Sequence, residues 1–185
     1  MKASHNTFSY MRSTFFMELF SRFWRCQNIP ATQQVDKYNV ECCDIRVRYH
    51  KGYWRLCHGR AMFGIKYVYL SMLIYDCLAC GFTKYRLMYE TNDKGYDKFL
   101  DEFSELPLSL RKPCVAAMSN PRWELVYGQL NIINEHNKHI TVRNLLWPSI
   151  KRFARKHNTY TDDGGIHMYD YVQFIKTEPN EMQRL

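Results

Sequence analysis

From Val40 onward the hydrophobic period of this chain is two: Ile45, Val47 and Tyr49 alternate with Asp44, Arg46, Arg48 and His50. Only an extended strand sends successive side chains to opposite faces, so this stretch demands neighbouring strands and a core to cover one side. Lys51-Gly52 turns the chain into Tyr53 to Cys57, which predicts a hairpin with an apolar face and a basic face.

Elsewhere the period is helical. Phe8, Met11, Phe15, Phe16, Leu19, Phe20, Phe23 and Trp24 predict an amphipathic helix ended by Asn28-Ile29-Pro30, followed by a polar connector, Ala31 to Asn39. Tyr67 to Cys80 reads as a buried helix stopped by Gly81, and Thr83 to Tyr89 as a further strand. Tyr96, Phe99, Leu100 and Phe103 mark a short helix, Ser109 to Met118 a second, and Pro121 to about Asn134 a third opened by Asn120. The expected fold is α+β, with a small antiparallel sheet in the N-terminal half and a helical C-terminal half. The polar turn near residues 91–95 divides it into a mixed α/β module, 1–92, and a helical module, 93–185, or lies within one compact domain.

Thr141 to Tyr160 carries Arg143, Lys151, Arg152, Arg155 and Lys156 with no carboxylate, in a chain whose formal charge is +8. Pro148 separates two short helical patterns, the look of a helix-turn-helix, with the Asp162-Asp163-Gly164-Gly165 turn as a wing. Outward-facing Lys151, Arg152, Arg155 and Lys156 would neutralise phosphates, while Arg143 and Asn158 would reach base edges or backbone. The hairpin supplies a second basic face in Arg46, Arg48, His50 and Arg55, with Arg60 just beyond and Tyr53 and Trp54 placed to stack on bases. The leading expectation is therefore a non-enzymatic nucleic-acid-binding protein, with DNA the expected partner. Two other readings stand beside it. One is a protein-binding assembly or inhibitory factor, with a protein partner or second copy on the N-terminal helix. The other is a small phosphodiesterase or nuclease.

Three histidines are followed two places on by threonine: His5-Asn6-Thr7, His139-Ile140-Thr141 and His157-Asn158-Thr159. A pair of such motifs resembles the signature of the 2H phosphoesterase family, in which two histidines act as acid and base and two hydroxyls hold a phosphate. The resemblance implies His139, Thr141, His157 and Thr159 as the catalytic set. Asp162-Asp163, with His167 and Asp170 nearby, suggests nuclease carboxylates or a glycine-rich turn.

Cys42, Cys57, Cys77 and Cys80, with Cys43 and His58 as alternatives, offer a zinc quartet, although Cys77 and Cys80 lie in an apolar segment where cysteine is commonly a small hydrophobe. Seven cysteines, an odd number, point to reduced thiols and a cytoplasmic setting. The apolar window Ala61 to Cys80 contains Lys66 and Asp76, so burial in protein is expected rather than a membrane span. No phosphate-cradling loop, dinucleotide fingerprint or nucleophile elbow is present, and no cofactor is expected.

Overall fold

The structure, a computed structural model, describes residues 1–91, 95–120, 122, 124–128, 132–134, 150–160 and 163–177. Nine strands within these residues form one mixed sheet. Its main path runs β7 (Glu124–Gly128), β6 (Cys114–Ser119), β5 (Lys84–Tyr89), β2 (Cys42–His50), β1 (Lys2–Ser4), β10 (Ile166–Tyr169) and β8 (Ile132–Asn134). The pairings from β6 through to β8 are parallel, and only β7 and the hairpin strands run antiparallel.

The expected small antiparallel sheet and helical C-terminal half are therefore replaced by a large, mainly parallel sheet that draws strands from both halves of the chain. Ser109–Met118, expected as a helix, is helical only at its start, within Leu108–Arg111, and then enters β6, while Pro121–Asn134, also expected as a helix, contains β7 and β8. The physical reason is legible in β6. Its Cys114-Val115-Ala116-Ala117-Met118 run is buried almost throughout, and a strand covered on both faces shows no alternation to distinguish it from a helix.

The hairpin forms as expected: β2 pairs with β3 (Tyr53–His58), which pairs in turn with β4 (Ala61–Tyr67). Val47, Trp54, Leu56 and Phe63 are buried in one hydrophobic core with side chains of α4 (Leu70–Leu78) and α5 (Gly95–Ser104). Trp54 donates its indole N–H to Glu102 Oε2 at 3.0 Å, so its one polar atom is satisfied inside an aromatic cluster with Tyr89 and Phe99. α4 is half-exposed rather than wholly buried, with Met72 and Tyr75 facing out.

The single N-terminal helix expected at Phe8–Arg25 is two short ones, α1 (Phe15–Leu19) and α2 (Ser21–Trp24), because residues 5–10 are turns. Phe8 and Trp24 enter the core, while Phe16 and Leu19 stay exposed. The polar connector is a helix, α3 (Ala31–Tyr38), closed by Asn39 in the left-handed conformation, φ 52°.

Ile150–His157 is helical, with Lys151, Arg152, Arg155 and Lys156 exposed and Ala154 buried. Arg143, Pro148 and the first helix of the expected helix-turn-helix lie outside the described residues, as do His139 and Thr141. β9 (Thr159–Tyr160) pairs with β11 (Lys176–Thr177) in a separate two-stranded ladder. Among the described residues no helix is long and apolar enough to cross a membrane.

Candidate active site

Parallel strands bring their carboxyl ends to one edge, which is where sites form in sheets of this kind. Here Ser4 is in register with Cys43 on β2 and with Tyr169 on β10. The next residues, His5, Asp44 and Asp170, therefore stand at one level, and Glu90 follows the end of β5. The hairpin folds His58, the last residue of β3, back toward the same place. Gly59 lets the chain turn away immediately afterwards, at φ +55°, and its N–H donates to Glu90 Oε2 at 3.1 Å.

Arg46 is the centre of the cluster. Its Nε donates to Asp44 Oδ2 at 2.9 Å, its Nη1 to Glu90 Oε1 at 2.6 Å, and its Nη2 to His5 Nε2 at 2.5 Å. Guanidinium is always a donor, so His5 Nε2 accepts and Nδ1 carries the ring proton. That Nδ1 donates to Asp170 Oδ1 at 2.6 Å, which fixes both the tautomer and the ring plane. His58 is held in the same sense, its Nδ1 donating to the backbone carbonyl of Trp24. The two imidazoles stand edge to face with centroids 6.3 Å apart.

Asp44 is enclosed and accepts from Asn6 N, Arg46 Nε and Arg86 Nε. Burial alone would raise its pKa, but Arg86 and Arg46 outweigh burial and hold the carboxyl well below the usual range. Burial likewise would lower Arg46, and Asp44 and Glu90 reverse this and push it up. His58 goes the other way: burial first, then the Arg46 charge, take it down to about 4 despite Glu90. Cys26, fully buried, has its thiol pushed well up by burial and then by Asp170.

The supports around this cluster are amides. Gln27 Nε2 donates to His5 O and Tyr169 O while its Oε1 accepts from Val172 N. Gln34 Nε2 donates to Thr7 O and Ile29 O. Thr7 Oγ1 donates to Ser4 O and meets Asp44 N at 2.8 Å. These bonds tie the loop after β1 to β2 and β10, so His5 sits on a braced turn rather than a free loop.

The residues expected from sequence divide. Arg46, expected on an outward basic face, is buried and committed to two carboxylates. Arg48 is half-buried, Arg55 donates to Gly64 O, and Arg60 is exposed. Asn158, expected to reach nucleic acid, is buried, and its amide donates to the carbonyls of Asp170 and Tyr171. His157 ends a helix and Thr159 begins the small ladder; of the two histidine–threonine motifs within the described residues, it is His5-Asn6-Thr7 that lies in the cluster. Asp163 accepts from Gly165 N and pairs with His167 at 2.6 Å, which is turn chemistry.

Cys42, Cys57 and Cys77 are buried and Cys80 is partly exposed, and they gather no three donors together among the described residues. The fold alone assembles Asp44, Cys26, His58, Glu90 and Asp170. The signal that could have found them is position: polar residues directly at the ends of hydrophobic strands, as in Glu90 after Lys84–Tyr89 and His58-Gly59 after Tyr53–Cys57.

Chemically, the cluster joins two histidines of fixed tautomer to a permanent cation. Asp44, Glu90 and Asp170 oppose Arg46 and Arg86, so within this cluster an anion is best received when one imidazole is also protonated. No family model matches the chain, and no curated protein matches it either. Among solved structures it is similar to a phosphatidylinositol-specific phospholipase C from Listeria monocytogenes, with a TM-score of 0.52 at 11% identity, over 94% of this chain and 89% of that one. At that identity the likeness concerns the fold.

Proposed function

We propose that the chain is a phosphodiesterase of phospholipase C type, cleaving a phosphodiester by general acid–base catalysis with His5 and His58 around Arg46. The observation that carries this reading is the pairing of two imidazoles whose Nδ1 atoms are both occupied, one by Asp170 and one by the Trp24 carbonyl, beside a guanidinium fixed by Asp44 and Glu90. This leaves Nε2 of His58, and Nε2 of His5 once Arg46 releases it, for proton exchange.

Arg46 binds the anionic phosphate and stabilises charge developing on its oxygens. Its hydrogen bond to His5 Nε2 yields to the incoming hydroxyl. His5 then takes the proton of that hydroxyl as oxygen attacks phosphorus, and Asp170 stabilises the imidazolium that results. His58, protonated in the anion complex, gives its proton to the departing oxygen. The name of the similar structure supports a phosphatidylinositol-like lipid as the substrate class, whose leaving oxygen would be that of diacylglycerol.

The test is incubation of the purified chain with phosphatidylinositol in mixed micelles, with release of water-soluble phosphate ester as the readout. Release by the unaltered chain and its loss in His5→Ala and His58→Ala support the reading. A folded chain that releases none, with bis(p-nitrophenyl) phosphate also uncleaved, overturns it.

A further inference from the structure

Beside His5 stands a thiol that the acid–base reaction does not use. A ring nitrogen of His5, Cys26 Sγ and a carboxylate oxygen of Asp170 all lie within 4.8 Å of one another, and it is His5 Nδ1 that bonds to Asp170 Oδ1. Cys26 is fully buried, and its place is fixed: the backbone N–H groups of Cys26 and Gln27 both donate to Ser9 Oγ at 2.9 Å. The same sulfur is 4.0 Å from His58 Nδ1, so it faces both histidines.

We infer that this cluster is an inhibitory zinc site, in which Zn²⁺ binds His5, Cys26 and Asp170 and switches the histidine pair off. The binding stands on the donor geometry alone; only its consequence rests on the phosphodiesterase reading. Nitrogen, sulfur and oxygen donors on three converging side chains form a set that Zn²⁺ accepts, whereas Ca²⁺ and Mg²⁺ require oxygen ligands. Zinc bond lengths of about 2.0–2.3 Å separate tetrahedral ligands by about 3.2–3.8 Å. The three donors therefore need small side-chain adjustments and no change of fold. The neighbouring guanidinium is paired with Asp44 and Glu90, and the Asp170 carboxylate and the Cys26 thiolate supply negative charge at the metal itself. His5, with 11% of its side chain exposed, gives the ion an approach.

The proton balance explains the inhibition. As the Zn–S bond forms, the Cys26 thiol proton leaves to solvent. As zinc takes His5 Nδ1, the proton there moves to Nε2. That nitrogen changes from acceptor to donor, so it loses both its hydrogen bond from Arg46 and the lone pair needed to act as a base. Asp170 is diverted from His5 to the metal in the same step.

The experiment titrates the purified full chain with Co²⁺ as a spectroscopic stand-in and with Zn²⁺ in competition against a chromogenic chelator. The expected result is one Co²⁺ per chain with a thiolate-to-cobalt charge-transfer band. That band should be lost in Cys26→Ser and kept in Cys80→Ser, with Zn²⁺ binding at least about 10-fold weaker in Cys26→Ser. Circular dichroism checks the fold of each variant, and Cys26→Ala serves if the serine variant is unstable. In the phospholipid assay one equivalent of Zn²⁺ abolishes release, EDTA restores it, and Cys26→Ser is insensitive. No band in the folded unaltered chain, or a band retained without the Cys26 thiol, overturns the zinc site. A Cys26-dependent band in a chain without hydrolysis keeps the site and removes the phosphodiesterase reading. Zinc-insensitive hydrolysis with no band does the reverse.

Discussion

His5 Nδ1 and Asp170 Oδ1 lie 2.6 Å apart although 165 positions separate them. The parallel pairing of β1 with β10 creates this contact, placing the residue after each strand at the same level. The carboxylate sets the tautomer of His5 and stands ready to stabilise the charged ring. Asp170→Asn keeps the shape and removes the charge, so kcat should fall by about 10²–10⁴ with little change in KM. A steady-state comparison of the two proteins decides this, and a change confined to KM would count against it.

His58 makes the fold acid-sensitive. Its folded pKa, about 4, lies below the ordinary histidine value of 6.5. The unfolded chain therefore binds the proton more readily between these values. The stability it contributes is complete above pH 6.5 and is lost as pH falls toward 4. Denaturant midpoints measured across that window should decline in the unaltered chain and decline less in His58→Gln.

Binding of an anion should work against that depression. An unreactive phosphonate held by Arg46 places negative charge beside His58, so NMR titration of the ring should show its pKa rising from about 4. An unchanged titration would separate His58 from the anion site.

Asp44 is the keystone of the charged cluster, since it neutralises Arg46 and Arg86 together. Asp44→Asn leaves two buried guanidiniums short of a counter-charge and should destabilise the chain by about 3–5 kcal/mol. Chemical denaturation measures this. A loss below about 1 kcal/mol would mean that Glu90 alone suffices.

Gly128 tests the sheet itself. It ends β7 at φ +82°, and a Cβ there would fall 2.1 Å from the backbone oxygen of Val115 on β6. Gly128→Ala should cost about 1–3 kcal/mol through strain at that crossing, seen as a lower thermal midpoint.

The local elements of the first hundred residues were largely legible. Alternation at Ile45–His50 gave the hairpin, Thr83–Tyr89 the strand β5, and Tyr96–Phe103 the helix α5, because each shows its period within a few residues. The parallel sheet was not legible, since Cys114–Met118 is buried on both faces and carries no alternation, while Lys2–Ser4 is too short to show a period. The site was hidden for a related reason. Alternation correctly put Arg46 opposite Ile45 and Val47, but the sequence does not say that this second face is also interior. Only the parallel pairing of β5 with β2 and of β10 with β1 brings Arg86, Glu90 and Asp170 to meet it. His5 stood out through its threonine motif, and its partners among the described residues are Asp170 and Arg46.

The most direct test of the central claim compares His5→Ala, His58→Ala and the double variant in phosphodiester hydrolysis, with EDTA present throughout. Two histidines acting as one acid–base unit predict that the double variant is about as slow as either single variant, each down by about 10²–10⁴. Hydrolysis that persists in both single variants, or losses that multiply fully in the double variant, would contradict the account.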